Sequence, residues 1–400
     1  MLAAVGATGP LVSMVNGFFI GVSSGATVVL SQAYGAGDRK GVSDSIHTGV
    51  ALSLLLGVML TAIGICLGGR VMGWMGTPEN CMADATTYLR IYFAGSIGTV
   101  VYNMGAGILR AMGDSKRPML FLMVTCILNV VLDLLFVLKL NMGVFGVGLA
   151  TVISQAVSFL VSMVYAMTKV SYFRLSPQEW KPQKQIIRRC MELGIPMALQ
   201  STLISLSTMV LQGVVNGFGQ TVMAAYTVVG KVEQLVQMPY SSLSTAITSF
   251  AGQNKGAGKI DRVKQGYKVS WLIVLGLSLA LIPFFYLLGR WTVSCFVGDA
   301  DVIAMGATAL KIDCLFYFPL GMIYIPRGLL NGCGDARFCL MNGISEVICR
   351  VVFASVLTRI PGVGYWGVWL TEGLTWGVTS IVCILRYRKG GWQHLTLVQE

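Results

Sequence analysis

The chain has 400 residues, 55% of them hydrophobic and 12% charged, with a formal net charge of +12. Soluble domains carry about 25% charged residues, so this chain cannot cover the surface of a soluble two-domain enzyme. Its mean hydropathy of +0.72 indicates an all-α polytopic membrane protein instead.

Two His and no C-x-x-C pair leave little for a zinc site. The ten Cys are scattered through apolar runs, where a free thiol behaves as a small hydrophobe. No nucleophile–base pair or metal cluster suggests an enzyme.

A membrane-spanning helix needs about 20 mostly apolar residues. In chain order the sequence predicts eleven such spans, near 9–33, 45–68, 85–110, 118–139, 144–168, 191–217, 222–252, 265–289, 303–330, 339–359 and 365–386. The loops between them alternate in charge. One side carries Arg39 and Lys40, then Arg110, Lys116 and Arg117, then six bases between Lys169 and Arg189, then five between Lys255 and Lys268, then Arg337, and finally Arg386, Arg388 and Lys389. That is 20 of the 29 Lys and Arg. The other side has Arg70, Lys139, Arg290 and Arg359. Bases collect in cytoplasmic loops, so the C-terminus is expected inside and, with eleven spans, Met1 outside. The same rule accounts for the positive charge without a nucleic-acid partner.

The sequence repeats itself 221 residues on. Gln32-x-x-Gly35-Ala36-Gly37 returns as Gln253-x-x-Gly256-Ala257-Gly258. Gly107-x-Leu109-x-x-x-Gly113-Asp114 returns as Gly328-x-Leu330-x-x-x-Gly334-Asp335. Gly143-x-x-Gly146-Val147 returns as Gly364-x-x-Gly367-Val368. One gapless offset for three blocks implies two copies of one helical bundle. Each block sits at a predicted helix end, where glycine supplies a cap or turn. Copies of six spans keep the same orientation, so the lobes are expected to be related by an axis along the membrane normal. The expected organisation is an N-terminal lobe over 1–168, a cytoplasmic linker over 169–190, a C-terminal lobe over 191–388 and a tail over 389–400. In this register the span at 191–217 has no counterpart in the first copy, so either a further helix belongs ahead of Met1 or the protein has eleven spans.

These blocks resemble the multidrug and toxic compound extrusion (MATE) transporters. Gln32-x-x-Gly-Ala-Gly-Asp38 is similar to the turn after their second helix. Leu109-Arg110-Ala-Met-Gly113-Asp114-x-x-x-Pro118 is similar to their fourth-to-fifth helix loop, and Asn129-x-x-x-Asp133-x-Leu-Phe136 to their fifth helix. The resemblance makes the two lobes the family's helices 2–6 and 7–12. It implies a monomeric exporter of small organic compounds in the cell (inner) membrane, driven by H⁺ or Na⁺ and needing no other cofactor. The alternative sharing this architecture is a lipid-linked oligosaccharide flippase, which should carry several free bases in its cavity.

Asp133 is the sharpest candidate for ion coupling, because a carboxylate within an apolar helix costs several kcal/mol unless paired or protonated. Asn129 lies one turn earlier on the same face. At about 1.5 Å rise per residue, Thr151 on the returning helix reaches a similar depth, with Gln155 one turn further in. Asp133, Asn129 and Thr151 match the family's N-lobe cation site, a place for a proton or a Na⁺. In the second copy Arg350 stands at the mirror of Asn129, Ala354 at that of Asp133, and Glu372 at that of Thr151. Glu346 and Arg350 are spaced as an i,i+4 salt bridge. Asn103, Gln155 and Gln200 are candidate polar liners of a substrate cavity. Lys231, Glu233, Lys311 and Asp313 read as solvated helix ends, and His47 as a surface residue.

Overall fold

The computed structural model describes residues 2–74, 79–169 and 182–395. Most of the expected linker, including Arg174 and Lys181, and the end of the tail lie outside those residues.

Among the described residues the chain is helical throughout. It runs α1 (Leu2–Gly35), α2 (Arg39–Trp74), α3 (Glu79–Ala94), α4 (Ser96–Ala111), α5 (Lys116–Leu134) and α6 (Gly143–Lys169). The second half follows as α7 (Lys184–Asn216), α8 (Gln220–Gly256), α9 (Ile260–Ser294), α10 (Ala300–Asp313), α11 (Tyr317–Gly332), α12 (Ala336–Leu357) and α13 (Gly367–Arg388). Eight helical stretches are long and apolar enough to cross a membrane, α10–α11 counted as one. α5 shows the reason most clearly. Only Pro118 and Thr125 are buried, while Leu122, Val124, Ile127 and Val130 lie open as a lipid-facing surface.

Two expected spans are broken. The span near 85–110 divides into α3 and α4 at Gly95. The span near 303–330 divides into α10 and α11 through a 3-10 turn, Cys314–Phe316. Gly95 and Phe316 are 221 residues apart, so the break itself is duplicated. The hydrophobic pattern runs through both breaks, which is why composition reads each pair as one span.

The register holds across the fold. α4 ends and begins 221 residues before α11, α1 ends 221 before α8, and α2 begins 221 before α9. The turns match as well. Asp38 N–H donates to Ala33 O at 3.1 Å, and Lys259 N–H to Asn254 O at 2.8 Å. Asp114 donates to Leu109 and Asp335 to Leu330 in the same way. These are closures of helix C-termini around a left-handed glycine, with φ of +71° at Gly37 and +69° at Gly258, and +91° at Gly113 and +90° at Gly334.

The contacts divide the chain into two units, Met1–Ala198 and Leu199–Glu400, so the division falls within α7. In the first unit, Gly21 and Gly25 of α1 meet Ala198 and Gly194 so closely that a Cβ on either glycine would lie about 2.5 Å from backbone. Small residues permit such an approach between membrane helices. In the second unit, α8 and α11 pack around Tyr240, Ile325 and Leu329, with Trp369 and Trp376 of α13 in the same core.

Candidate functional site

Each unit encloses one polar cavity, and the two occupy the same place in the repeat. In the first unit, α4, α5 and α6 surround about 260 Å³ lined by Thr99, Tyr102, Asn103, Thr125, Asn129, Thr151 and Gln155, among others. In the second, α7, α8, α11, α12 and α13 surround about 230 Å³. Its wall includes Leu320, Ile323, Tyr324, Glu346, Arg350, Glu372 and Trp376, each 221 residues after its counterpart in the first unit. The site has been duplicated, and its chemistry has diverged. Seven matched positions hold neutral side chains in the first copy, whereas three of the seven are charged in the second.

In the first unit the structure gathers four of the predicted residues, Asn103, Asn129, Thr151 and Gln155, around one cavity. Thr99 donates its hydroxyl to Gln155 Oε1. Thr151 spends its own hydroxyl on Val147 O at 3.0 Å, within α6, so it does not reach across the hairpin. Asp133 is not among the residues lining the cavity. Its Oδ1 and the Asn129 Nδ2 are buried without a hydrogen-bond partner. A π-helical turn, Leu135–Lys139, follows directly after α5. Such turns recur at functional sites.

In the second unit the expected Glu346–Arg350 bridge is present at 3.3 Å, and it is part of a larger cluster. Arg350 also meets Glu372 Oε2 at 2.9 Å and donates to the Ser207 hydroxyl. The Tyr226 hydroxyl donates to Glu372 Oε1 at 3.2 Å. Arg350, Glu346 and Glu372 are all buried, and mutual pairing is what makes such burial tolerable.

Glu233 and Asp313 correct the sequence reading. Asp313 is wholly buried. Glu233 Oε1 and both Asp313 carboxyl oxygens are enclosed without a donor, while the two carboxyl groups are near enough to act on each other's charge. Asp313 ends α10 at the duplicated break, and Glu233 sits well inside α8. The rise of about 1.5 Å per residue, which the sequence reading used for Asp133, puts both acids roughly 15 Å into their predicted spans. That count was the signal that could have found them. Lys231 alone of the four is exposed as expected, whereas Lys311 is half-buried with its ammonium 5.7 Å from the Tyr286 ring centre.

Gln200 is not among the residues lining either cavity. It donates to Asn342 Oδ1 at 3.1 Å, tying α7 to α12. His47 is buried rather than superficial. α2 begins at Arg39, so His47 lies two turns inside it, with Nδ1 2.8 Å from Ser43 O. Among the described residues no cluster of three or more His, Cys, Asp or Glu is arranged to hold a metal.

The MatE family model matches residues 1–135 and 196–356. The chain belongs to the MatE family. Similar MatE proteins include two from Bacillus subtilis, the probable multidrug resistance proteins YpnP and YoeA. YpnP is 29% identical, with 100% of this chain and 89% of YpnP covered. YoeA is 30% identical, with 98% of this chain and 86% of YoeA covered. Among solved structures, a MOP-superfamily transporter from Pyrococcus furiosus superposes with a TM-score of 0.92 at 26% identity, covering 98% of this chain and 89% of that one. A MatE assignment makes the molecule one of a family of membrane transporters. It agrees with the duplicated turns from which the resemblance was first drawn.

Proposed function

We propose that the protein is a secondary active antiporter that exports amphiphilic, often cationic organic compounds in exchange for H⁺ or Na⁺. In this reading it works as a monomer in the cell membrane with its C-terminus in the cytoplasm, on the side where the bases collect. The names of the Bacillus relatives support the substrate class.

The observation that carries coupling is the Glu233–Asp313 pair. Two neighbouring carboxyl groups enclosed without a donor cannot both stay ionised alone, so the pair takes up a proton or a cation. Occupancy changes the charge of the second-unit wall, and a charge change that favours one packing over another biases an alternating-access equilibrium. Asp133 supports a second reading, coupling through the first unit, since its Oδ1 lies enclosed without a partner one turn from Asn129. A flippase for a pyrophosphate lipid fits less well, because it calls for several free bases, and of the two lining this cavity Arg350 is already held by Glu346 and Glu372.

The test is efflux of a fluorescent cation from proteoliposomes, with pH and Na⁺ gradients imposed separately. Asp313→Asn and Glu233→Gln are expected to abolish the gradient dependence with the protein still folded. Loss in Asp133→Asn, with both second-unit variants retaining wild-type ion dependence, would place coupling in the first unit. Wild-type protein that moves the cation under neither gradient would refute the antiporter reading.

A further inference from the structure

The second-unit cavity holds one base that coupling does not use. Arg327 lies on the last turns of α11, and its guanidinium carbon is 4.7 Å from the centre of the Tyr324 ring. Among the described residues no carboxylate is ion-paired with it. Of the acids lining the same cavity, Glu346 and Glu372 are both paired with Arg350, and Glu346 acts on the Arg327 charge only from a distance. The Tyr324 hydroxyl donates to Gln237 Oε1 at 3.2 Å, and Gln237 stands one helical turn beyond Glu233 on α8. One wall of the cavity therefore runs from an acid, Glu233, past Gln237 and Tyr324 to a guanidinium with no ion pair among the described residues. Among the described residues no base lines the first-unit cavity, and the counterpart of Arg327 is Ala106.

A guanidinium presents a planar fork of donors matched to a carboxylate, and one enclosed without an acid gains most from an anion that binds it. Resting on the transport reading above, we infer that Arg327 is an anion subsite and that the cavity takes zwitterionic organic compounds, the ammonium toward Glu233 and the carboxylate at Arg327. Stacking against Tyr324 holds the guanidinium in place, so the subsite is formed before substrate arrives. A purely cationic compound occupies the acid end and leaves Arg327 without an anion.

The experiment uses the full chain in lipid nanodiscs and two dyes that differ only in one group. Tetramethylrhodamine has a free carboxylate beside its cationic ring system, and its methyl ester lacks that charge. Equilibrium binding is read by fluorescence polarisation for wild type, Arg327→Gln and Arg327→Lys. The wild type is expected to bind the zwitterion at least as tightly as the ester. Arg327→Gln is expected to move the ratio of the two affinities about 10-fold against the zwitterion, the scale of one charged hydrogen-bonded contact, and Arg327→Lys to recover part of it. A wild type that disfavours the zwitterion, or a ratio unmoved by Arg327→Gln, overturns the inference. Equal loss of both dyes in Arg327→Gln makes Arg327 structural and overturns it too. Gradient-driven transport of the two dyes is measured separately. If it fails for both in the wild type, the antiporter reading falls and the binding ratio still decides the subsite.

Discussion

Replacing Arg350 with Met tests the energetics of the second-unit cluster most directly. Arg350 is 3% exposed and holds two carboxylates at 2.9 and 3.3 Å. Methionine has similar length and no charge. The substitution leaves Glu346 and Glu372 buried without their ion-pair partner, with only the Tyr226 hydroxyl still donating to Glu372. Removing one partner of a buried pair costs about 3–5 kcal/mol. Stability converts to melting temperature at about 2–4 °C per kcal/mol for a unit of this size, so a fall of order 10 °C is expected. The protein supplies its own probe. Cys314, Cys333, Cys339 and Cys383 are buried in the same unit, and a thiol-reactive fluorophore reports their exposure on heating above the baseline set by the exposed Cys66, Cys126 and Cys295. Adding Glu372→Gln to Arg350→Met removes one orphaned charge and should restore part of the loss. A single variant melting within about 2 °C of wild type, or a double variant no better than the single, would refute the claim that mutual pairing supports this burial.

The duplicated packing makes further predictions. A methyl group at Gly328 would stand 2.6 Å from the backbone oxygen of Ser244, whereas at Gly107 it would meet the Thr27 hydroxyl, a side chain able to turn away. Gly328→Ala is therefore expected to lower the melting temperature more than Gly107→Ala, and equal effects would contradict the geometry. Gly113→Ala and Gly334→Ala place a side chain at φ near +90° and should each cost about 1–2 kcal/mol, read as similar melting shifts; no shift in either would argue against the turn. Asp335 is buried and meets Arg386 at 2.8 Å, while Arg386 is about one-third exposed. Arg386→Gln should thus cost less than about 3 kcal/mol and weaken α12–α13 packing without touching the dye ratio set by Arg327; a change in that ratio would show that the two ends of the unit are coupled.

Much of the fold was legible because the features that repeat are features of composition. Glycines at 37, 113 and 143 return at 258, 334 and 364 with positive φ at all six, and a turn that demands glycine leaves its mark in the letters. The breaks at Gly95 and Phe316 were not legible, since a 3-10 turn within an apolar run disturbs no hydrophobic pattern. For the site, the mirror register named Arg350 and Glu372 before their contact was known, and Glu346 came from helical spacing. Glu233 and Asp313 read as solvated because they were placed, with Lys231 and Lys311, near the outer ends of long helices. Depth along the helix was the better guide. Gln200 shows the opposite ambiguity, since a polar residue in an apolar helix signals a partner without saying whether that partner is a cavity or a neighbour such as Asn342.

The divergence of the two cavities also bears on how such a chain can change. To give the first unit the cluster of the second, Thr125, Asn129 and Thr151 must become Glu, Arg and Glu. Each change made alone buries a charge with nothing to answer it. Reversal is obstructed where it starts at Arg350, because removing that base strands Glu346 and Glu372. The two halves began as copies, yet they are now separated by a valley of unstable intermediates in both directions. Drift can reshape the neutral cavity one residue at a time, while the charged one changes as a block or not at all.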